Sequence, residues 1–66
     1  MQSEDIEWIY GFPGVVDVEI VSEEPTVFRI ELRSAADADA FFTAGRQLLR
    51  LDVVRKSEIV CHLYWQ

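Results

Sequence analysis

Two stretches of this chain alternate apolar and polar residues with a period of two. In residues 15–22, Val16, Val18 and Ile20 fall on one side and Asp17 and Glu19 on the other; in residues 27–33, Phe28, Ile30 and Leu32 oppose Arg29, Glu31 and Arg33. That period places successive side chains on opposite faces of a strand. Glu23-Glu24-Pro25-Thr26, between the two runs, has turn chemistry. The pair therefore predicts a β-hairpin with one apolar and one charged face. Keeping both apolar sets on one face requires opposed positions whose numbers sum to an even value. A three-residue loop puts Glu19 opposite Arg29, and a five-residue loop puts Asp17 opposite Arg33. Either register predicts a cross-strand ion pair.

After Ser34 the period lengthens to that of a helix. Ala38, Phe41, Phe42, Gly45, Leu48 and Leu49 form the apolar stripe. Ser34 is the expected N-cap, with Asp37 three residues on in the manner of a capping box. Asp37 and Asp39 complement the positive end of the helix dipole, and Arg46 and Arg50 the negative end. Gly45 weakens the helix by up to about 1 kcal/mol relative to Ala. Its place on the stripe predicts close approach of another backbone, that of a strand of the sheet. Residues 51–55 read as a third strand, Lys56-Ser57 as a turn and residues 59–65 as a fourth strand; one long bent strand through residues 51–65 is the competing parse. The fourth strand is apolar on both faces, with Ile59, Cys61, Leu63 and Trp65 on one and Val60, His62 and Tyr64 on the other. Such a strand is usually covered on both sides. One helix covers one face, so the second must meet the N-terminal segment, a partner or solvent.

Residues 3–11 read as a short helix. Ser3 caps it, acids fill the first turn, Gly11 closes it, and Ile6, Ile9 and Tyr10 share a face. A strand through Trp8-Ile9-Tyr10 is the rival. Phe12-Pro13-Gly14 ends either one. The predicted fold class is α+β: a small antiparallel sheet of three or four strands with one main helix packed on one face. The order is (α or β)-β-β-α-β-β, in a single domain spanning residues 1–66.

Size sharpens the question of what stabilises this fold. A domain of 66 residues buries only about 60% of its unfolded surface, so disulfides, metals or a partner subunit are the usual aids. Cys61 is the sole cysteine, so no intrachain disulfide forms. A composition of 50% hydrophobic and 27% charged residues is that of a globular chain. No signal-peptide pattern and no apolar run of about 20 residues is present. The free cysteine and the absence of a targeting segment predict a cytoplasmic protein, and the start at Met1 is read as that of a complete small protein.

Charge is the least ordinary feature. Residues 1–28 hold Glu4, Asp5, Glu7, Asp17, Glu19, Glu23 and Glu24 and no Lys or Arg, whereas residues 29–66 hold five acids and all six basic residues. The net charge of −6 therefore originates in the N-terminal part. A field of this kind selects partners and governs solubility rather than fold. It also disfavours direct nucleic-acid binding, since a pI of about 4.5 repels phosphates.

Catalytic and metal-binding sets are not evident. A closed zinc site needs about four Cys or His ligands, and Cys61 and His62 are adjacent on a strand and so face opposite sides. Asp37-x-Asp39 does not continue as a calcium loop. Asp17 and Glu19 share a strand face roughly 6.6 Å apart, but acid-base chemistry needs one of them desolvated, and Arg29 and Arg33 beside them do the opposite. Gly11, Gly14 and Gly45 fit no phosphate-binding spacing. Residues 46–56 hold four basic side chains, read as dipole partners and solubilisers. No cofactor, metal or membrane is expected, and the chain is read as a non-enzyme.

The sequence thus points to an interaction protein. The candidate partner-binding residues are Glu4, Asp5, Glu7, Asp17, Glu19, Glu23 and Glu24, with Trp8 or Tyr10 as aromatic anchor. The expected partner is a protein with a basic, nucleic-acid-binding groove, in which carboxylates stand in for phosphates. In physical type (small, acidic, without a catalytic set) the chain resembles phage-encoded anti-restriction and anti-CRISPR inhibitors, a resemblance not carried by any motif. The alternative is a homodimeric regulatory or scaffold domain joined through residues 59–65, with the acids serving solubility. A ligand-binding module is disfavoured, because so short a chain leaves little room for a cavity of about 300 Å³ or more beside its core.

Overall fold

A computed structural model of the chain describes residues 3–49 and 52–65; the side chains of residues 3–5, 48 and 49 lie outside the described set. Helix α1 (Ser3–Gly11) leads into a hairpin of β1 (Val15–Glu23) and β2 (Thr26–Leu32). Helix α2 (Ala35–Ala44) follows and runs on as a π-helical segment, Gly45–Leu49. Strands β3 (Asp52–Arg55) and β4 (Val60–Trp65) complete the chain. The architecture is α+β, as the hydrophobic periodicity predicts, and residues 3–11 are helical rather than extended. The sheet is antiparallel with strand order β1-β2-β4-β3.

Both helices lie on one face of this sheet. Ile9 of α1, Ala38 and Phe41 of α2, Phe28, Ile30 and Leu32 of β2, Val53 of β3, and Cys61 and Leu63 of β4 form one buried cluster. Trp8, Phe12 and Phe41 close its end as an aromatic trio, with ring centroids 5.2–5.6 Å apart. Each buried large side chain of this kind contributes on the order of 1.5–3 kcal/mol, which is what lets so short a chain hold together.

Local chemistry fixes the connections. Ser34 Oγ accepts from the Asp37 backbone N–H at 3.2 Å, and its hydroxyl donates to Asp37 Oδ2 at 3.0 Å, so the expected cap forms. Gly14 has φ +92° and lies against that cap; a Cβ there would stand 2.5 Å from Asp37 Cγ. Its carbonyl accepts from the Arg33 N–H at 2.7 Å. Glycine is required both for the backbone angle and for the contact. At Gly45 an added Cβ would meet Val53 Cγ2 at 2.9 Å: a strand does lie against this glycine, but the Val53 side chain makes the approach and not, as expected, the strand's backbone. The C-terminal part of the predicted helix differs from expectation: α-helical bonding ends at Ala44 and the π-helical segment takes over. The expected roles of Leu48 and Leu49 in the stripe, of Arg50 at the helix end and of Leu51 in the third strand lie outside the described residues or side chains.

The hairpin departs from simple alternation. Glu19 is opposite Arg29, in the first of the two predicted registers, but register shifts fall between Val15 and Asp17 and between Ile20 and Ser22. Val16 and Val21 are the extra residues. These bulges close the hairpin on a two-residue loop, Glu24-Pro25, whose peptide bond is cis. They also correct the predicted inner face of β1. Val15 and Val18 pack on the core, whereas Val16 and Val21 are exposed, and Ile20 is 55% exposed although it pairs with buried Phe28.

Candidate interaction surface

The second face of the sheet carries no helix. Strand pairing sets its side chains in three rows: Ser22-Val27-Tyr64-Asp52, Glu19-Arg29-His62-Val54 and Asp17-Glu31-Val60. The first residue of each row belongs to β1, and the acids of the hairpin's charged face therefore gather toward that edge. Asp17 stands directly opposite Glu31, and like charges in that position oppose strand pairing. Arg29 reaches Glu31, with Nη1 3.7 Å from Oε1. The expected Glu19–Arg29 ion pair does not form although the register allows it, because Arg29 turns along its own strand to the other carboxylate.

The remaining predicted site residues distribute around this edge. Glu7 and Tyr10 are exposed on α1 at i, i+3 spacing, and so share a helix face. Glu23 and Glu24 are exposed at the hairpin tip. The side chains of Glu4 and Asp5 lie outside the described set. The half-buried Trp8 ring is packed against Phe12 and Phe41, whereas Tyr10 is 62% exposed and faces outward. The acids consequently occupy both faces beside β1 and the tip, rather than a single flat flank. Among the described residues, the ion pairs are Arg29–Glu31 and Arg55–Asp39, so neither engages Glu7, Asp17, Glu19, Glu23 or Glu24.

Strand β3, the opposite edge, carries both signs of charge, with Asp52 and Arg55 on the strand itself, and is differently organised. Arg55 bonds Asp39 of α2 and donates to the carbonyls of Ser57 and Glu58. The Arg46 guanidinium lies 5.3 Å from the centroid of the Phe42 ring, a cation-π geometry. Strand order places the acid-rich hairpin strand β1 at one edge of the sheet and the strand of mixed charge, β3, at the other.

Two concavities accompany these edges. A groove of about 610 Å³, more room than the length of the chain led one to expect, is lined by Pro25, Arg46, Asp52, Val53, Val54, Tyr64 and Trp65; it is open to solvent and lies between strand ends and the π-helical segment rather than inside the core. A smaller notch of about 330 Å³ at the β1 edge is lined by Tyr10, Val15, Val16, Asp17 and Val18. The sequence did not reveal this notch, because the bulge that turns Val16 outward has no residue signature in the alternating run. Glu31 was likewise missed as a neighbour of Asp17, for its place follows from the register.

The two candidate reactive groups are held apart. Cys61 is fully buried, with its thiol 3.8 Å from the Ala38 carbonyl oxygen, and burial raises its pKa above the ordinary value. His62 lies on the open face between Arg29 and Val54. Burial first, then Lys56 and Arg29, lower its pKa. Among the described residues no three His, Cys, Asp or Glu side chains converge in a way that would hold a metal, and no described helix is long and apolar enough to cross a membrane. No protein-family model, curated protein or solved structure matches this chain.

Proposed function

We propose that this is a non-catalytic interaction protein whose acidic β1 edge docks on the basic, nucleic-acid-binding surface of another protein and blocks it, in the manner of anti-restriction and anti-CRISPR inhibitors. The observation that supports this reading most is the exposure of Asp17, Glu19, Glu23 and Glu24 along an edge strand and its hairpin tip, outside the ion pairs among the described residues. Carboxylates on a rigid frame offer a basic groove the same charge as phosphates, without bases to read. The apposition of Asp17 and Glu31 works against the fold, as expected of charge kept for binding rather than stability.

The experiment is capture of a DNA- or RNA-binding protein on the immobilised chain, followed by competition. Duplex nucleic acid and rising salt should each release the partner, and a variant with Asp17→Asn, Glu19→Gln, Glu23→Gln and Glu24→Gln should not capture it. Association that is indifferent to salt, or that survives these four changes, contradicts the proposal.

A second reading, a homodimer, is favoured by the open sheet face. Strand β4 is paired on both sides, by β2 and β3, so residues 59–65 present no free backbone edge. A dimer through them would use the half-buried His62 and Tyr64 on the face without helices instead. Light scattering showing a monomer at high concentration removes this reading.

A further inference from the structure

Strand β1 ends the sheet with a row of the core unfinished. Ile20 stands in register with Phe28, Leu63 and Val53 on the helix-bearing face; those three are buried, while Ile20 is 55% exposed. A core layer therefore reaches the edge of the sheet with its last side chain in solvent. The two bulges fall on either side of Asp17–Ile20, which itself pairs regularly with Phe28–Glu31. Backbone hydrogen bonds outside the helices and sheet ladders involve Val15 but none of residues 16–23. Among the described residues, the outer side of this segment thus has no backbone partner. An unpaired edge of this kind is a template for one more strand.

Proteins blunt such edges with charge, and here the charge has one sign. Asp17 and Glu19 are exposed on the helix-free face, and residues 1–28 hold no Lys or Arg. Antiparallel pairing with β1 of a second copy sets carboxylates against carboxylates, which opposes it. A strand carrying Lys or Arg at alternate positions meets the same carboxylates as partners. Since successive side chains alternate between faces, cations beside Asp17 and Glu19 bring the intervening side chains to the helix-bearing face, beside Ile20. We propose that the Asp17–Ile20 edge binds its partner by strand addition, the occupant being an extended segment of another protein in which cationic and apolar residues alternate. The inference rests on the function proposed above and specifies the conformation and pattern of the segment that the acidic edge receives.

Three synthetic peptides of equal length test it: one alternating Lys and Val, one of the same sequence with every backbone amide N-methylated, and one alternating Glu and Val. N-methylation keeps the charges and side chains and removes the donors that a ladder needs. The Lys-Val peptide should bind about tenfold tighter than its N-methylated form, the loss expected when a few backbone hydrogen bonds cannot form. Rising salt should weaken both, and the Glu-Val peptide should not bind. In the Lys-Val complex, hydrogen exchange should slow at those amides of Asp17–Ile20 that do not donate to β2. Equal affinities for the Lys-Val peptide and its N-methylated form, or unchanged exchange along β1, overturn strand addition while leaving the acidic edge standing. Failure of both Lys peptides to bind, or equal binding of the Glu-Val peptide, overturns strand addition and the acidic edge together. Exchange along β1 that slows with rising concentration of the chain alone assigns the edge to a second copy and likewise overturns the proposal.

Discussion

The two edges of the sheet use charge in opposite ways. At the β3 edge, Arg55 is tied to Asp39 of α2 and to the carbonyls of Ser57 and Glu58; its charge holds a turn and a helix in place. At the β1 edge, Asp17 faces Glu31, and the one nearby cation with an ion pair, Arg29, reaches Glu31 rather than Glu19. One edge employs ionic contacts for structure. The other carries like charges that structure would be better without. This asymmetry teaches where to look for function in a small protein: at the place where removing a charge should make the fold more stable.

The largest effect should come from the core that both edges share. Phe41→Ala removes a fully buried ring and should cost about 3–5 kcal/mol. A domain of this length has only roughly 3–10 kcal/mol in total, so urea denaturation should show a protein at the margin of folding, with both edges lost together. Arg55→Gln should be the next largest, lowering stability by about 1 kcal/mol, a figure kept small because Asp39 is largely exposed and the pair is screened. Asp17→Lys should act in the other direction. Replacing a like-charge pair with an opposite one across the strands should raise stability by about 0.2–1 kcal/mol, measured by thermal melting. Loss of stability in Asp17→Lys, or no loss in Arg55→Gln, would dissolve the contrast between the edges.

The smallest effect concerns pH. His62 has a lowered pKa in the fold, through burial, Lys56 and Arg29, so the unfolded chain takes up its proton first as pH falls through about 6.5. The unfolded state then binds more protons, and His62 contributes a loss of stability between that pH and its folded value. His62→Gln should flatten this part of the stability profile and leave higher pH unchanged; a profile identical to the parent's would show that His62 feels no such field.

Much of this fold was legible because local and tertiary preferences agree. The helical stripe through Ala38 and Phe41, the Ser34 cap, and the strand runs of β2 and β4 all appear where the periodicity put them. That a strand lies against Gly45 was readable too, though not that the Val53 side chain, rather than a backbone, fills the space. The β1 run misled. Its alternation of Val16, Val18 and Ile20 is as regular as that of β2, yet bulges at Val16 and Val21 break it, and nothing in a valine marks a bulge. Trp8 was ambiguous for a different reason: an aromatic among acids looks alike whether it packs inward or faces a partner, and only the placement of α1 over the sheet directs Trp8 inward and Tyr10 outward. The acidic segment itself was plain from the sequence, but its position was not. Strand order, a long-range property, moved the carboxylates to one edge and split them between its two sides.

The central claim is that charge at the β1 edge serves binding and not stability. The most direct test compares the parent with the variant carrying Asp17→Asn, Glu19→Gln, Glu23→Gln and Glu24→Gln, measuring association with the captured nucleic-acid-binding partner across a salt series on samples whose melting temperatures are known. The account predicts parent binding that weakens steadily with salt, and a variant that fails to bind even at low salt while melting no lower than the parent. A variant that binds as tightly as the parent, or that melts well below it, would contradict the account.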